Sequence, residues 1–364
     1  MNKIYFPNLN ALRFIAATLV IVHHVEQFKQ ILGFNNYFNN PFIKTIGRTS
    51  VLLFFVLSGY LITYLLLTEK KVSQNINITN FYIRRILRIW PLYFIILALS
   101  FFLLPNIQFF DLGVLSDKLN DRFWIKLLYF VFFLPNLALA VFPIIPFASQ
   151  LWSVGYEEQF YLVWPILIKT KQNKTKLFAV IIVVFLILKI SVYTVLKDYL
   201  IQEKFFKSLE FFFEIPSVDC MVIGAWFAYL LFQKDKVLKW LFHKNTQTIT
   251  YILLVLFIGN GVFIPFLNTQ LYSVLFGITI LNLSANQNTI LNLENKVTNF
   301  LGKISFGIYM YHTIVIVLVL KSLSHFNIHN VILENLISIL LTITISHLSY
   351  QYIEERIIKL KSKF

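Results

Sequence analysis

The run LRFIAATLVIVHHVEQF (residues 12–28) holds Arg13, His23 and His24 inside an otherwise apolar stretch long enough to cross a bilayer. Eleven residues are almost three helical turns, so Arg13 and His24 share a helix face, roughly 16 Å apart along the axis, and His23 points about 100° away. A charged side chain at membrane depth is costly unless it faces protein or water, which makes such a pair a functional candidate. A neutral imidazole can take a proton from a hydroxyl or accept an acyl group itself. His23 reads instead as a structural histidine bonded to a backbone carbonyl.

Further polar residues stand in other apolar runs. FFVLSG (54–59) places Ser58 and Gly59 near mid-membrane, as site support or as small residues in helix packing. LWSVGYEEQFYLVWP (151–165) carries Trp152, Ser153, Glu157 and Glu158. Adjacent glutamates cannot both face one cavity, so one is expected at the site and the other beside a cation or carrying a proton. SFGIYMYHT (305–313) sets Ser305, Tyr309 and His312 at i, i+4 and i+7, one face of a helix at mid-depth. FYIRRILRIWPLY (81–93) puts Arg84, Arg85 and Arg88 where a helix leaves the membrane. Three guanidiniums there serve as a membrane anchor or as a bidentate site for phosphate. No metal is expected.

The elements that must hold these residues follow from composition. Of 364 residues, 58% are hydrophobic and 13% charged, about half the charged share of a soluble domain. Mean hydropathy is +0.71. The chain is expected to be an all-α, polytopic membrane helical bundle. Candidate spans are 9–28, 47–68, 84–104, 150–168, 177–196, 211–232, 247–265, 270–284, 304–322 and 330–352, about ten. The run 125–146 contains FLPN and FPIIP, whose prolines break a helix, and is expected to be re-entrant or interfacial. That choice leaves the basic clusters near 70–88, 169–176, 234–244 and 356–363 on one face, the cytoplasmic one, with both termini.

Segments 29–46, 105–124 and 197–210 then face outward. The first apolar run reads as a retained helix, because no small-residue cleavage site follows it. The net charge of +15 is dispersed over the connections, as topology requires, so nucleic acid is not an expected partner. Cys220 is a lone buried cysteine. The whole chain, 1–364, is read as one integral membrane domain without a soluble one.

The five quoted pieces, with GKISFGIYMYHTIVI (302–316) as the last, occur in this order over nearly the whole chain. Together they resemble acyltransferase family 3, integral membrane enzymes that move acyl groups, most often acetyl, from acyl-CoA to surface glycans. The resemblance implies that His24 is the catalytic histidine, with Arg13 eleven residues before it. It further implies that Arg85 and Arg88, with Arg84 beside them, recognise acyl-CoA. The family's tryptophan–serine–glutamate pattern falls on Trp152, Ser153, Glu157 and Glu158, and its late serine–tyrosine–histidine pattern on Ser305, Tyr309 and His312. The closing element departs from the family: YIEERII (352–358) has Arg356 where proline is usual, and nothing is drawn from that end.

The expected activity is O-acetyl transfer from acetyl-CoA, or another acyl-CoA, to a carbohydrate acceptor. Surface polysaccharide, lipopolysaccharide and lipid-linked glycan are the candidates, and the inner membrane is the expected location. His24 would be general base or acyl acceptor, with Glu157 or Glu158 orienting an imidazole or the acceptor. A transporter with a buried His/Glu relay is the competing class, disfavoured by the missing internal repeats. A silent scaffold would have no need of buried charge.

Overall fold

The computed structural model describes residues 4–192, 194, 218–264 and 266–363. The expected outward segment 197–210, and parts of the expected spans 177–196, 211–232 and 247–265, lie outside the described residues. Every regular element described is helical. In chain order these are α1 (Leu9–Ile31), α2 (Pro41–Ser73), α3 (Ile78–Ala98), α4 (Val114–Asn120), α5 (Phe123–Val131), α6 (Pro135–Val141), α7 (Leu151–Thr170) and α8 (Lys174–Ser191). Then come α9 (Val218–Gln233), α10 (Leu238–Leu241), α11 (Lys244–Gly259), α12 (Asn268–Ala285), α13 (Lys296–Lys303), α14 (Ser305–His325), α15 (Val331–Ser349) and α16 (Glu355–Lys359).

Five helices among the described residues are long and apolar enough to cross a membrane: Leu9–Ile31, Pro41–Ser73, Ile78–Asn106, Ser305–His325 and Val331–Lys359. The third extends α3 through π and 3-10 turns, and the fifth joins α15 to α16 through a π turn. Helices also occupy the other expected positions, from α7 to α12, but they are shorter or less apolar. Length and hydropathy therefore support five crossings among the described residues, against the ten or so expected. The apolar run 125–146 is not one continuous helix. Pro135 cannot extend α5, and the chain breaks at Phe133, whose φ is +57°. Gln159 Nε2 closes the break by donating to Phe133 O (2.9 Å) and Asn136 Oδ1 (2.8 Å).

The chain's contacts group into two units. The first comprises Met1–Ala16, Arg48–Ile78 and Phe160–Gly302. Its organising contact is a close crossing of α2 and α9. A Cβ on Gly59 would lie 1.8 Å from Met221 O, and one on Gly224 2.1 Å from Val56 O. Without a hydrophobic drive between helices in lipid, such backbone-to-backbone approach is what holds a crossing together. Asn8 ties the N-terminus down: its Nδ2 donates to Leu283 O (2.9 Å) and its backbone N to Glu294 Oε2 (3.0 Å). On α8, Val180, Val183, Val184 and Ile187 form an exposed apolar stripe, as a lipid-facing surface requires.

The second unit comprises Ala17–Gly47, Thr79–Gln159 and Lys303–Phe364. Here α15 turns buried Ser338, Thr342, Ser346 and Ser349 toward its neighbours, and α14 lies along it. Gly307 permits that approach, since a Cβ there would stand 3.2 Å from Ser346 Cβ, and Tyr311 OH donates to Ser349 Oγ (3.0 Å). A fully buried ion triad fastens α1 to α15. Lys29 Nζ lies 3.2 Å from Glu26 Oε1 and 2.9 Å from Glu334 Oε2, and Glu26 Oε2 accepts from Tyr37 N (2.6 Å). The cost of burying this charge is offset only because each partner is present.

Candidate active site

Helix α1 presents His24, Gln27, Phe28 and Ile31 as one stripe to a recess in the second unit. The opposite walls come from the irregular segment before α7, including Phe147, Ser149 and Gln150, with Thr313 of α14. The recess is partly open and its volume is ≈ 40 Å³. That holds about three waters, so only the reacting end of a larger ligand can enter.

Backbone carbonyls define the tautomers of half-buried His24 and buried His312. His312 Nδ1 lies 2.5 Å from Tyr309 O, an acceptor only, so this nitrogen carries the hydrogen and Nε2 keeps its lone pair. His24 Nδ1 lies 2.9 Å from Val20 O and 3.3 Å from His312 Nε2. Its hydrogen is therefore shared between a carbonyl and the neighbouring imidazole. His24 Nε2 is left as a bare lone pair on a ring that lines the recess. Such an arrangement can serve as a general base, its other nitrogen oriented by a second group. His23, by contrast, bonds Ile43 O (2.7 Å) and is packed by Gly47, which places it in a structural role.

Beyond His312 the polar line continues. Tyr309 OH donates to Gln150 O (2.9 Å) and lies 2.8 Å from Ser153 Oγ. The Glu157 carboxylate is within electrostatic reach of that hydroxyl. Glu158 Oε2 accepts from Trp90 Nε1 (3.2 Å), and Glu158 Oε1 is buried without a hydrogen-bond partner. Arg85 is close enough to Glu158 to act on its charge, and its guanidinium also lies 5.5 Å from the centre of the Phe81 ring.

Here α3 meets the end of the chain. Glu354, buried in the π turn Tyr350–Glu354, faces the charge of Arg88. Lys361, just past the last crossing, joins the arginines. Burial first, and then the charges of Arg88, Arg85 and Arg84, bring its ammonium from 10.5 down to about 7. Four cationic side chains thus converge at this end of the unit. A polyanion would relieve their mutual repulsion and accept their hydrogen bonds. The recess lies toward the other end, because α3 and its extension run roughly 27 Å from Arg88 to Asn106 before reaching Leu112 on the recess wall.

The sequence model of an acyltransferase domain, family 3, matches residues 6–350. The chain belongs to this acyltransferase family. Peptidoglycan O-acetyltransferase OatA of Listeria monocytogenes is 31% identical over 169 residues, 45% of this chain and 24% of the relative. YrhL of Bacillus subtilis, provisionally named a peptidoglycan O-acetyltransferase, is 33% identical over 168 residues, covering 44% and 23%. A Staphylococcus aureus protein with a provisional O-acetyltransferase name is 28% identical over 383 aligned positions, covering 96% and 57%. The chain spans from about a quarter to just over half the length of these relatives. No solved structure matches it.

Of the expected acyltransferase residues, the second unit gathers His24, His312, Tyr309, Ser153, Trp152, Glu157, Glu158, Arg84, Arg85 and Arg88. Trp152 stands edge-on to Tyr156 (6.1 Å). Arg13 and Ser58 belong to the first unit, where Arg13 Nη1 lies 3.4 Å from Asn10 Oδ1 and Ser58 Oγ accepts from Tyr161 OH (3.1 Å). The group found on the His24 imidazole is His312, and Glu158 Oε2 accepts from Trp90. Helix α14 begins at Ser305, so Tyr309 and His312 lie in its first turns.

Two residues escaped the sequence reading, Gln150 and Glu354, and Lys361 entered it only as part of the basic cluster 356–363. Glu354 had a signal, an acidic residue closing an apolar helix, but the segment was set aside for its missing proline. Gln150 had none.

Proposed function

We propose that this chain is a membrane O-acetyltransferase that moves an acetyl group from acyl-CoA to a hydroxyl of a cell-envelope carbohydrate. The observation that carries the reading is the bare Nε2 of His24 on the recess wall, with its Nδ1–H held by Val20 O and His312. In the proposed reaction the acceptor hydroxyl gives its proton to His24 Nε2 as its oxygen attacks the thioester carbonyl. A tetrahedral intermediate forms, the carbon–sulfur bond breaks, and the imidazolium returns the proton to the departing thiolate.

The phosphates of acyl-CoA would rest on Arg84, Arg85, Arg88 and Lys361, with the pantetheine arm reaching along the Trp90–Glu158–Tyr309 line. If the basic end faces the cytoplasm, as the positive-inside rule prefers, the recess faces outward. The inner membrane would then separate donor from acceptor. The named activity of the Listeria relative makes a peptidoglycan-type glycan the first acceptor to try.

The test is transfer of radiolabel from acetyl-CoA to a glycan by purified protein in detergent, where no gradient exists to drive transport. His24→Ala should lose about 10²- to 10⁴-fold in kcat, the usual worth of base catalysis. Arg85→Ala and Arg88→Ala should raise KM for acetyl-CoA. Normal acetylation by His24→Ala would end the assignment.

A further inference from the structure

Gln150 immediately precedes α7 and is 3% exposed. Its Nε2 donates to two carbonyls, Phe147 O (2.7 Å) and Met310 O (3.2 Å). Those bonds decide which way the amide faces. Flipped, its oxygen would confront two carbonyl oxygens and its NH₂ would find no acceptor in their place. The unflipped Oε1 is buried and has no hydrogen-bond partner, although the residue lines the same recess as His24. The backbone is equally constrained, since Gln150 O accepts from Tyr309 OH (2.9 Å) and Ser153 Oγ (3.3 Å). Main chain and side chain are held by these four bonds, and the acceptor oxygen of the side chain is unused. Leaving a buried acceptor unmet costs about 1–3 kcal/mol, a penalty a ligand donor would remove.

We infer that Gln150 is a positioning and specificity residue: its Oε1 accepts a hydrogen bond from a second donor on the acceptor sugar, a hydroxyl or acetamido N–H close to the hydroxyl that His24 deprotonates. Closeness follows from size, because the ≈ 40 Å³ recess admits only the reacting end of a glycan. Assignment to the acceptor rather than to the thioester arm follows from place. The recess opens among residues C-terminal to His24 on α1 and beyond the extension of α3, away from Arg84, Arg85, Arg88 and Lys361. Acceptors with a second donor near the attacked oxygen are thereby selected over those presenting a lone hydroxyl. This inference rests on the transferase reading above.

The experiment uses the full chain in detergent with acetyl-CoA. The acceptors are a β-1,4-linked N-acetylglucosamine tetramer and analogues with donors removed singly, as 3-deoxy and N-methylacetamido forms. For wild type, at least one analogue should lose about 10- to 100-fold in kcat/KM, matching an unmet buried acceptor. Gln150→Met, similar in volume but without the oxygen, should acetylate the parent and that analogue with nearly equal kcat/KM, and should leave KM for acetyl-CoA unchanged.

Equal wild-type activity on every analogue overturns the inference even if Gln150→Met fails to fold. A Gln150→Met protein that loses the same factor on all acceptors, or that loses only acetyl-CoA affinity, also overturns it. No transfer by wild type to the tetramer or any analogue counts against the transferase reading itself, a distinct outcome.

Discussion

Replacing His312 separates a positioning role from a chemical one. His312 Nε2 is one of two acceptors for His24 Nδ1–H, the other being Val20 O at 2.9 Å. Removing the imidazole leaves the carbonyl in place, so His24 keeps its Nδ1–H tautomer and its bare Nε2. The loss is one hydrogen bond, worth about 0.5–1.5 kcal/mol net, or a fall of about 2- to 13-fold in kcat. The 3.3 Å separation favours the lower end. His312→Phe keeps the ring without the acceptor, and His312→Gln restores an oxygen that can accept.

The assay is steady-state acetyl transfer at saturating acetyl-CoA, with a melting curve for each variant to correct for folding. His312→Phe should retain its pH–rate profile and most of its KM, while His312→Gln should recover part of kcat. In the double variant with His24→Ala, the second substitution should cost nothing further, since residues acting as one unit are not additive. A loss for His312→Phe as large as for His24→Ala would refute the reasoning, because it would show that His312 itself carries the proton. An unchanged rate would refute the coupling.

Other parts of the structure make their own predictions. Anionic ligand favours the charged form of Lys361, whose unliganded ammonium titrates at about 7. Affinity for acetyl-CoA should therefore be full below about pH 7 and fall as pH rises above it, and Lys361→Arg should flatten that slope in a KM-versus-pH series. Lys29→Met strands two buried carboxylates and should destabilise by about 3–5 kcal/mol, whereas adding Glu26→Gln and Glu334→Gln should restore much of the melting temperature. Gly59→Ala drives a methyl into Met221 O and should lower the melting temperature by several degrees, as overpacking of about 1–3 kcal/mol requires; an unshifted melt would show that the α2–α9 crossing can open without cost.

Helical class and the arginine, glutamate and histidine stripes were legible in the sequence because apolar periodicity and buried charge are both local signals. The break in 125–146 was legible for the same reason, since Pro135 acts on its own backbone. Ser58–Gly59 was not decidable from composition: packing and site support use the same small residues, and only the nearness of Gly59 to Met221 O shows close helix packing at this turn. The contact between His24 and His312 was not legible in the sequence for a physical cause. A carboxylate is the obvious partner for an imidazole, but here the tautomers are set by Val20 O and Tyr309 O, and any residue type can supply a carbonyl.

Gln150 was hidden by the same logic. An isolated glutamine carries no periodicity, and its unused acceptor exists only because Phe147 O and Met310 O occupy its other atom. Two of the groups that matter most in this unit are therefore selected by subtraction: His24 Nε2 and Gln150 Oε1 are each what remains after carbonyls have claimed the adjacent nitrogen. A lone pair that can take a proton and an oxygen that can only accept a hydrogen bond then share a single recess. Under the proposed reaction a hydroxyl would meet the first and a neighbouring donor the second, and that pairing is what would give the site a preferred substrate.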